Sequence, residues 1–386
     1  MRLVSDHVVE GRAGPVFERT YPTLAQVDLT DLQRFTQGQP WGDFAAMRDA
    51  APVMWHDEPR DRPGFWAVTR YDDVKRVNGD PKTFSSERGG INMALPPVDR
   101  RQDQLFFAAM NTMINLDGNP HRQLRKEHMP YFTATYMREL RAKVAAEVTR
   151  RLDAMAPLGT CDFVGMFASH MPSFTLCEML GVPEEDREKF IRWIHFLEMS
   201  LQLAAEQEAQ GATELTPELQ GFIALFNHNV GEMFDYGRTM LLKRRENPQN
   251  DLMSAIANAR IDGELLPEEF LDGSWLLIVF AGNDTTRNTL SGATKLFTEH
   301  PDQREKLKGD MSLLPNAVHE ITRMISPVIY MKRIATGDVE IGGQRIAEGE
   351  KVIMWYGAAN RDARVFADPD RFDIARANAE KNIAFG

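Results

Sequence analysis

The sequence predicts a mainly α fold with a minor β component, and three features predict it. Most of residues 120–330 carries the helical period of about 3.6 residues. Short apolar and aromatic runs at both ends of the chain, V-M-W-H, F-W-A-V-T and the stretch Lys351 to Trp355, read as strands. No repeat and no low-complexity linker interrupts the chain, so it reads as one domain, residues 1–386, with room for a large core.

In order along the chain, residues 52–69 predict a hairpin around a Pro/Gly-rich turn, followed by a short helix over 71–78 that Gly79-Asp80-Pro81 ends. Helical periods follow over 136–156, 165–180, 184–205, 217–245, 251–259, 267–299 and 314–325. The polar stretch 206–217 reads either as a lid or as a plain exposed loop. After Pro327, Val339-Glu340-Ile341, Gly342-Gly343 and Lys351 to Trp355 predict a second hairpin with a glycine turn. Residues 360–374 are turn-rich.

Composition narrows the function classes. The hydrophobic share of 43 % and the charged share of 26 % are those of an ordinary globular protein. A net charge of −11 disfavours a nucleic-acid partner. The start, M-R-L-V-S-D-H-V-V-E, lacks the apolar segment of a secretory signal, and no apolar run approaches the roughly 18 residues of a membrane helix. Cys161 and Cys177 are too few for a disulfide framework, which makes the cytoplasm the simplest expectation. The scattered histidines form no zinc pattern.

The segment 267–299 is the most informative. Its glutamates at the start suit the positive end of a helix, and His300-Pro301 ends it. Trp275 to Ala281 is apolar all round, which predicts burial on every side. Gly282, Asn283, Asp284, Thr285 and Thr286 then break that pattern, and a Thr hydroxyl bonding back to a carbonyl beside glycine tends to open or bend a helix. Leu277, Ala281 and Thr285 share one stripe. The residues alone leave two readings: a kinked core helix with satisfied polar groups, or a helix shaped for chemistry.

A-G-N-D-T-T at Ala281–Thr286 resembles the oxygen-activation segment of the cytochrome P450 family, the haem-thiolate monooxygenases. H-E-I-T-R at His319–Arg323 contains the family's E-x-x-R, and A-D-P-D-R-F-D at Ala367–Asp373 resembles its meander. G-N-P-H-R-Q-L-R at Gly118–Arg125 resembles the helix start that holds haem propionates, with Pro120 suited to the first helical position. M-K-R-I at Met331–Ile334 sits where the family places another propionate arginine. The ordered motifs run from about Trp41 to the final glycine, and the chain is identified as a member of the family, of the soluble bacterial type.

The resemblance implies the P450 fold, with a long central helix and a small β-sheet, and a monooxygenase that uses haem b and O2. It implies Asp284 and Thr285 as the acid–alcohol pair that relays protons. His121, Arg125, Ala281, Gly282, Arg333 and Phe385 would contact the cofactor, and Glu320, Arg323 and Arg371 would form a structural trio. Leu277, Phe280, Val328 and Ile329 would line an apolar pocket, with Phe106, Phe107 and Met110 in the loop before His121 adding to it. Electrons would come from a ferredoxin and its reductase. The expected substrate is a hydrocarbon-like molecule: an alkane, a terpenoid or a sterol side chain. I-A-F-G at the end matches the opening of the family's cysteine loop, which implies an axial cysteine beyond Gly386 and no metal ligand within the chain. Alternative expectations are an inactive fragment and a non-catalytic haem-binding protein.

Overall fold

Strands from both ends of the chain meet in one sheet, as the apolar runs predict. The computed structural model describes residue 24, residues 26–59, 62–93, 103–210 and 216–386, with the side chains of 201–210 outside the description. In chain order the elements are α1 (Trp41–Ala50), β1 (Val53–His56), β2 (Phe65–Val68), α2 (Tyr71–Gly79), β3 (Phe84–Ser85), α3 (Gln104–Met110), α4 (Gly118–His128), α5 (Ala134–Met155) and α6 (His170–Leu180). They continue with α7 (Arg187–Gln210), α8 (Pro217–Glu246), α9 (Leu252–Ala257), β4 (Arg260–Ile261), β5 (Glu264–Leu265), α10 (Glu268–Glu299), α11 (Pro301–Gly309) and α12 (Leu314–Ile325). The last are β6 (Tyr330–Ala335), β7 (Val339–Ile341), β8 (Gln344–Ile346), β9 (Lys351–Trp355) and α13 (Tyr356–Ala359). The mainly α class with minor β stands.

The described residues fall into two units, one formed from those within 103–113 and 119–287, the other from those within 24–93, 114–118 and 288–386. In the first, helices gather around an aromatic cluster. Phe190 and Trp193 of α7, Tyr236 of α8 and Trp275 of α10 pack with ring centroids 5.2–6.2 Å apart. Capping residues set the ends: the Thr216 hydroxyl accepts from the Leu219 amide, and the Asp251 carboxylate accepts from the Ser254 amide. Gly181 ends α6 at φ +66°, where a side chain would meet the Asp251 carboxylate.

The second unit holds the five-stranded sheet, in order β1-β2-β9-β6-β3. β1 and β2 pair antiparallel, β2 runs parallel to β9 with Phe65 opposite Lys351, and β6 is antiparallel to β9. Alternate residues enter two different cores. Val53, Trp55, Trp66, Val68, Val352 and Met354 fill one, while Met54, Phe65, Ala67, Ile353 and Trp355 fill the other. Both faces are covered, which is why these strands read as unbroken apolar runs rather than as alternation.

Four expectations are corrected. The second hairpin is β7–β8, with Gly342 and Gly343 both at positive φ in its turn, whereas Lys351–Trp355 joins the large sheet instead. Residues 104–110 form α3, not a loop, and α7 absorbs residues 206–210 of the polar stretch, whose residues 211–215 lie outside the described residues. Pro120 is the third residue of α4, which starts at Gly118.

Candidate functional site

Glycines set where α10 runs in the first unit. Gly237 on α8 leaves room for the Trp275 indole, whose N–H donates to the Met233 carbonyl at 3.0 Å. A Cβ at Gly273 would overlap the Asn111 carbonyl. Trp275, Val279 and Asn283, four apart, form a buried stripe, and Asn283 meets Ser173 of α6 at 3.2 Å. The expected burial on every side is corrected. Leu277 and Phe280 are half-buried, and Ala281 and Gly282 are exposed.

Helix α10 continues without a break through Gly282–Thr286. The Thr285 hydroxyl does donate back to the Ala281 carbonyl, at 3.2 Å, but the helix does not open there, so the expected opening is corrected to a bond made within a continuous helix. The Asp284 carboxylate takes a 2.5 Å ion pair from Arg287, three residues on. The same guanidinium reaches both carboxylate oxygens of Glu198 on α7, at 2.5 Å each. Arg287 and Glu198 were not among the predicted residues. Arg287 was legible, standing three after Asp284, whereas Glu198 arrives from a distant helix and carries no sequence signal.

His121 and Arg125 lie one turn apart on α4, as predicted. His121 is half-buried, and Arg125 is exposed with no ion pair among the described residues. At the end of the same helix, burial pushes His128 down to about 4. Phe106 and Phe107 on α3 are half-buried, and Met110 is buried.

In the second unit, Glu320 and Arg323 pair as predicted, fully buried, at 2.8 and 2.9 Å. The third member is corrected from Arg371 to Arg376. The Arg376 Nε lies 3.1 Å from both Glu320 oxygens, whereas the Arg371 side chain is exposed and supplies only its carbonyl, to Arg323 and Arg376. The reason is a local two-residue alternation. Phe372, Ile374 and Arg376 point inward, and Arg371, Asp373 and Ala375 do not. That alternation was the overlooked signal.

Val328 packs against one core of the sheet and Ile329 against the other, both half-buried. Phe385 is 56 % exposed. Arg333 on β6 is half-buried and burial lowers its affinity for its proton; the Asp117 carboxylate acts on it through space, but among the described residues no carboxylate forms an ion pair with it. Of the cysteines, Cys161 is exposed, and burial pushes the Cys177 thiol up to about 12, which suits packing and not ligation. Among the described residues no group of three His, Cys, Asp or Glu side chains is placed to hold a metal ion, and no helix is long and apolar enough to cross a membrane.

Each unit by itself offers features that suit a flat, anionic group: in the first, Arg125 makes no ion pair among the described residues and Ala281 and Gly282 are small and exposed; in the second, Arg333 makes no ion pair among the described residues.

The sequence model of the family described as Cytochrome P450 matches residues 67–386. Linalool 8-monooxygenase of Pseudomonas putida is 32 % identical over 94 % of this chain and 86 % of its own length. Steroid C26-monooxygenase of Mycobacterium tuberculosis is 34 % identical over 93 % of this chain and 82 % of its own. A Mycobacterium marinum cytochrome P450 solved in complex with pseudoionone superposes with a TM-score of 0.80 at 30 % identity, covering 95 % of this chain and 86 % of that one.

Proposed function

The chain belongs to the cytochrome P450 family, a haem- and O2-dependent class of monooxygenases, and from that premise we propose that it hydroxylates an apolar hydrocarbon, with haem b as cofactor and a ferredoxin and its reductase as electron source. The observation that carries the reading is the acid and alcohol side by side on α10, Asp284 and Thr285, directly after the small residues Ala281 and Gly282. His121, Arg125 and Arg333 would hold the haem propionates, with Ala281, Gly282 and Phe385 against the ring. Bound haem supplies oxygen activation and transfer.

The chain's own residues manage protons and fit. Thr285 holds its hydroxyl hydrogen on the Ala281 carbonyl, and a turn about χ1 frees that hydrogen for an acceptor elsewhere. Asp284, half-buried and paired with Arg287, is the group able to replace it from solvent. Leu277, Phe280, Val328 and Ile329 bring no charge to a substrate, which favours binding by apolar burial. The relatives' names, which specify linalool and a steroid, support a terpenoid or sterol-side-chain substrate.

Thr285→Ala tests the relay. The expected result is a rise in peroxide released per electron consumed, with substrate binding retained. Unchanged coupling would remove Thr285 from the mechanism. Binding spectra across alkanes, terpenes and steroids then rank the substrate classes.

A further inference from the structure

Arg333 does not stand alone on β6. Its Nη1 donates to the adjacent Lys332 carbonyl at 2.8 Å, and its Nη2 donates to the Asn78 side-chain oxygen at 3.2 Å. Asn78 sits in the last turn of α2, and the same oxygen accepts the Tyr356 hydroxyl at 3.3 Å. Both lone pairs of one amide oxygen are therefore used, which decides how the carboxamide faces. Tyr356 is fully buried at the start of α13, and burial pushes its phenol up to about 12, so it stays a neutral donor at working pH. The cluster abuts the last glycine. A Cβ on Gly386 would lie 2.8 Å from the Tyr356 hydroxyl and 3.2 Å from the Asn78 amide nitrogen.

The physical point is that both helpers are neutral. A carboxylate bonded to Arg333 would fix the guanidinium but cancel its charge, and Asp117 acts on it only through space, without a bond. An amide oxygen and a phenol fix it and leave the charge for a ligand, with part of the donor fork unspent. We propose that Asn78 and Tyr356 are positioning residues that aim Arg333 at a carboxylate of the bound porphyrin. The inference rests on the haem reading above and adds two residues, from α2 and α13, that no family motif in the sequence marks.

The test is the rate at which the haem-loaded protein loses haem to excess apomyoglobin, followed by absorbance. Asn78→Leu should speed loss about tenfold, the size of one hydrogen bond to a charged group. Asn78→Asp should speed it at least as much, because the new carboxylate competes for Arg333. Tyr356→Phe keeps the packing and should speed loss by a smaller factor of about three. Loading with haem dimethyl ester, which has no free carboxylates, should erase the differences among these proteins. Three results overturn the proposal. One is that Arg333→Ala speeds loss while Asn78→Asp and Tyr356→Phe keep the wild-type rate. Another is variant differences that persist with the ester. The third is a wild-type protein that takes up no haem, which also overturns the functional reading.

Discussion

Two carboxylate–arginine pairs, each three residues apart on a helix, show how little spacing alone decides. Glu320 and Arg323 on α12 are fully buried, and every polar direction is filled. Arg376 adds its Nε to the carboxylate, the Asp373 amide adds an N–H, and the Asn360 and Pro369 carbonyls take Arg323. Asp284 and Arg287 on α10 have the same spacing but sit 20–32 % exposed, and their guanidinium is shared with Glu198 from another helix. The first set has nowhere to move without stranding a charge. The second has water beside it and an alternative partner, so its carboxylate can change state at small cost. Saturation by surrounding dipoles separates a locked pair from one that can let go.

The largest effect expected is in the lock. Arg323→Ala leaves Glu320 buried beside one cation instead of two and should cost about 3–5 kcal/mol of stability, read from urea melts. Arg323→Lys should recover little, because an ammonium cannot replace a fork that serves a carboxylate and three carbonyls. A loss below about 1 kcal/mol for either variant would put this pair in the same class as the one on α10.

Acid is the next lever, and it acts outside both pairs. His128 has an ordinary value near 6.5 and is pushed down to about 4 by burial, so between those limits the unfolded chain binds the proton that the folded chain refuses. Its stabilising contribution is present above pH 6.5 and is lost as pH falls towards about 4, by up to about 3 kcal/mol. His56 is shifted in the same direction by burial and adds to the same slope. His128→Phe should flatten the fall of the urea midpoint between pH 6.5 and 4. An unchanged slope would place the acid sensitivity elsewhere.

A smaller effect is expected on α10. Arg287→Gln removes both ion pairs, yet the two carboxylates are only half-buried and can rehydrate, so the stability loss should stay within about 1 kcal/mol. A loss as large as that of Arg323→Ala would make the two pairs equivalent after all.

Much of this was legible before any coordinates, and the failures have a common cause. Helix periods located α5 to α10 and α12, and the apolar runs located β1, β2 and β9, because burial on known faces writes itself into spacing. Asp284 with Thr285, Glu320 with Arg323, and His121 with Arg125 were each readable, since each pair lies within one helical turn. What escaped was contributed across chain distance. Glu198 reaches Arg287 from α7, Asn78 and Tyr356 meet Arg333, and β9 pairs with β2 instead of with the strand nearest in sequence. No local pattern records such meetings.

The smallest expected effect is the sharpest, because it separates two arginines five residues apart. Arg371 contributes to the lock through its carbonyl, which takes Arg323 at 3.3 Å and Arg376 at 2.8 Å, and its side chain is exposed. Arg371→Ala keeps that carbonyl and should change stability by no more than about 0.5 kcal/mol. Arg376→Ala removes a buried cation whose Nε faces both Glu320 oxygens and whose other nitrogens satisfy the Ala367, Asp368 and Arg371 carbonyls, so it should cost about 3 kcal/mol. The family's motif pointed to Arg371, while the inward positions of the local alternation belong to Phe372, Ile374 and Arg376. Urea midpoints of the two variants, measured side by side, decide between them. If Arg371→Ala proved the more damaging, the guanidinium in the lock would be Arg371 after all, and alternation would be the wrong guide to this segment.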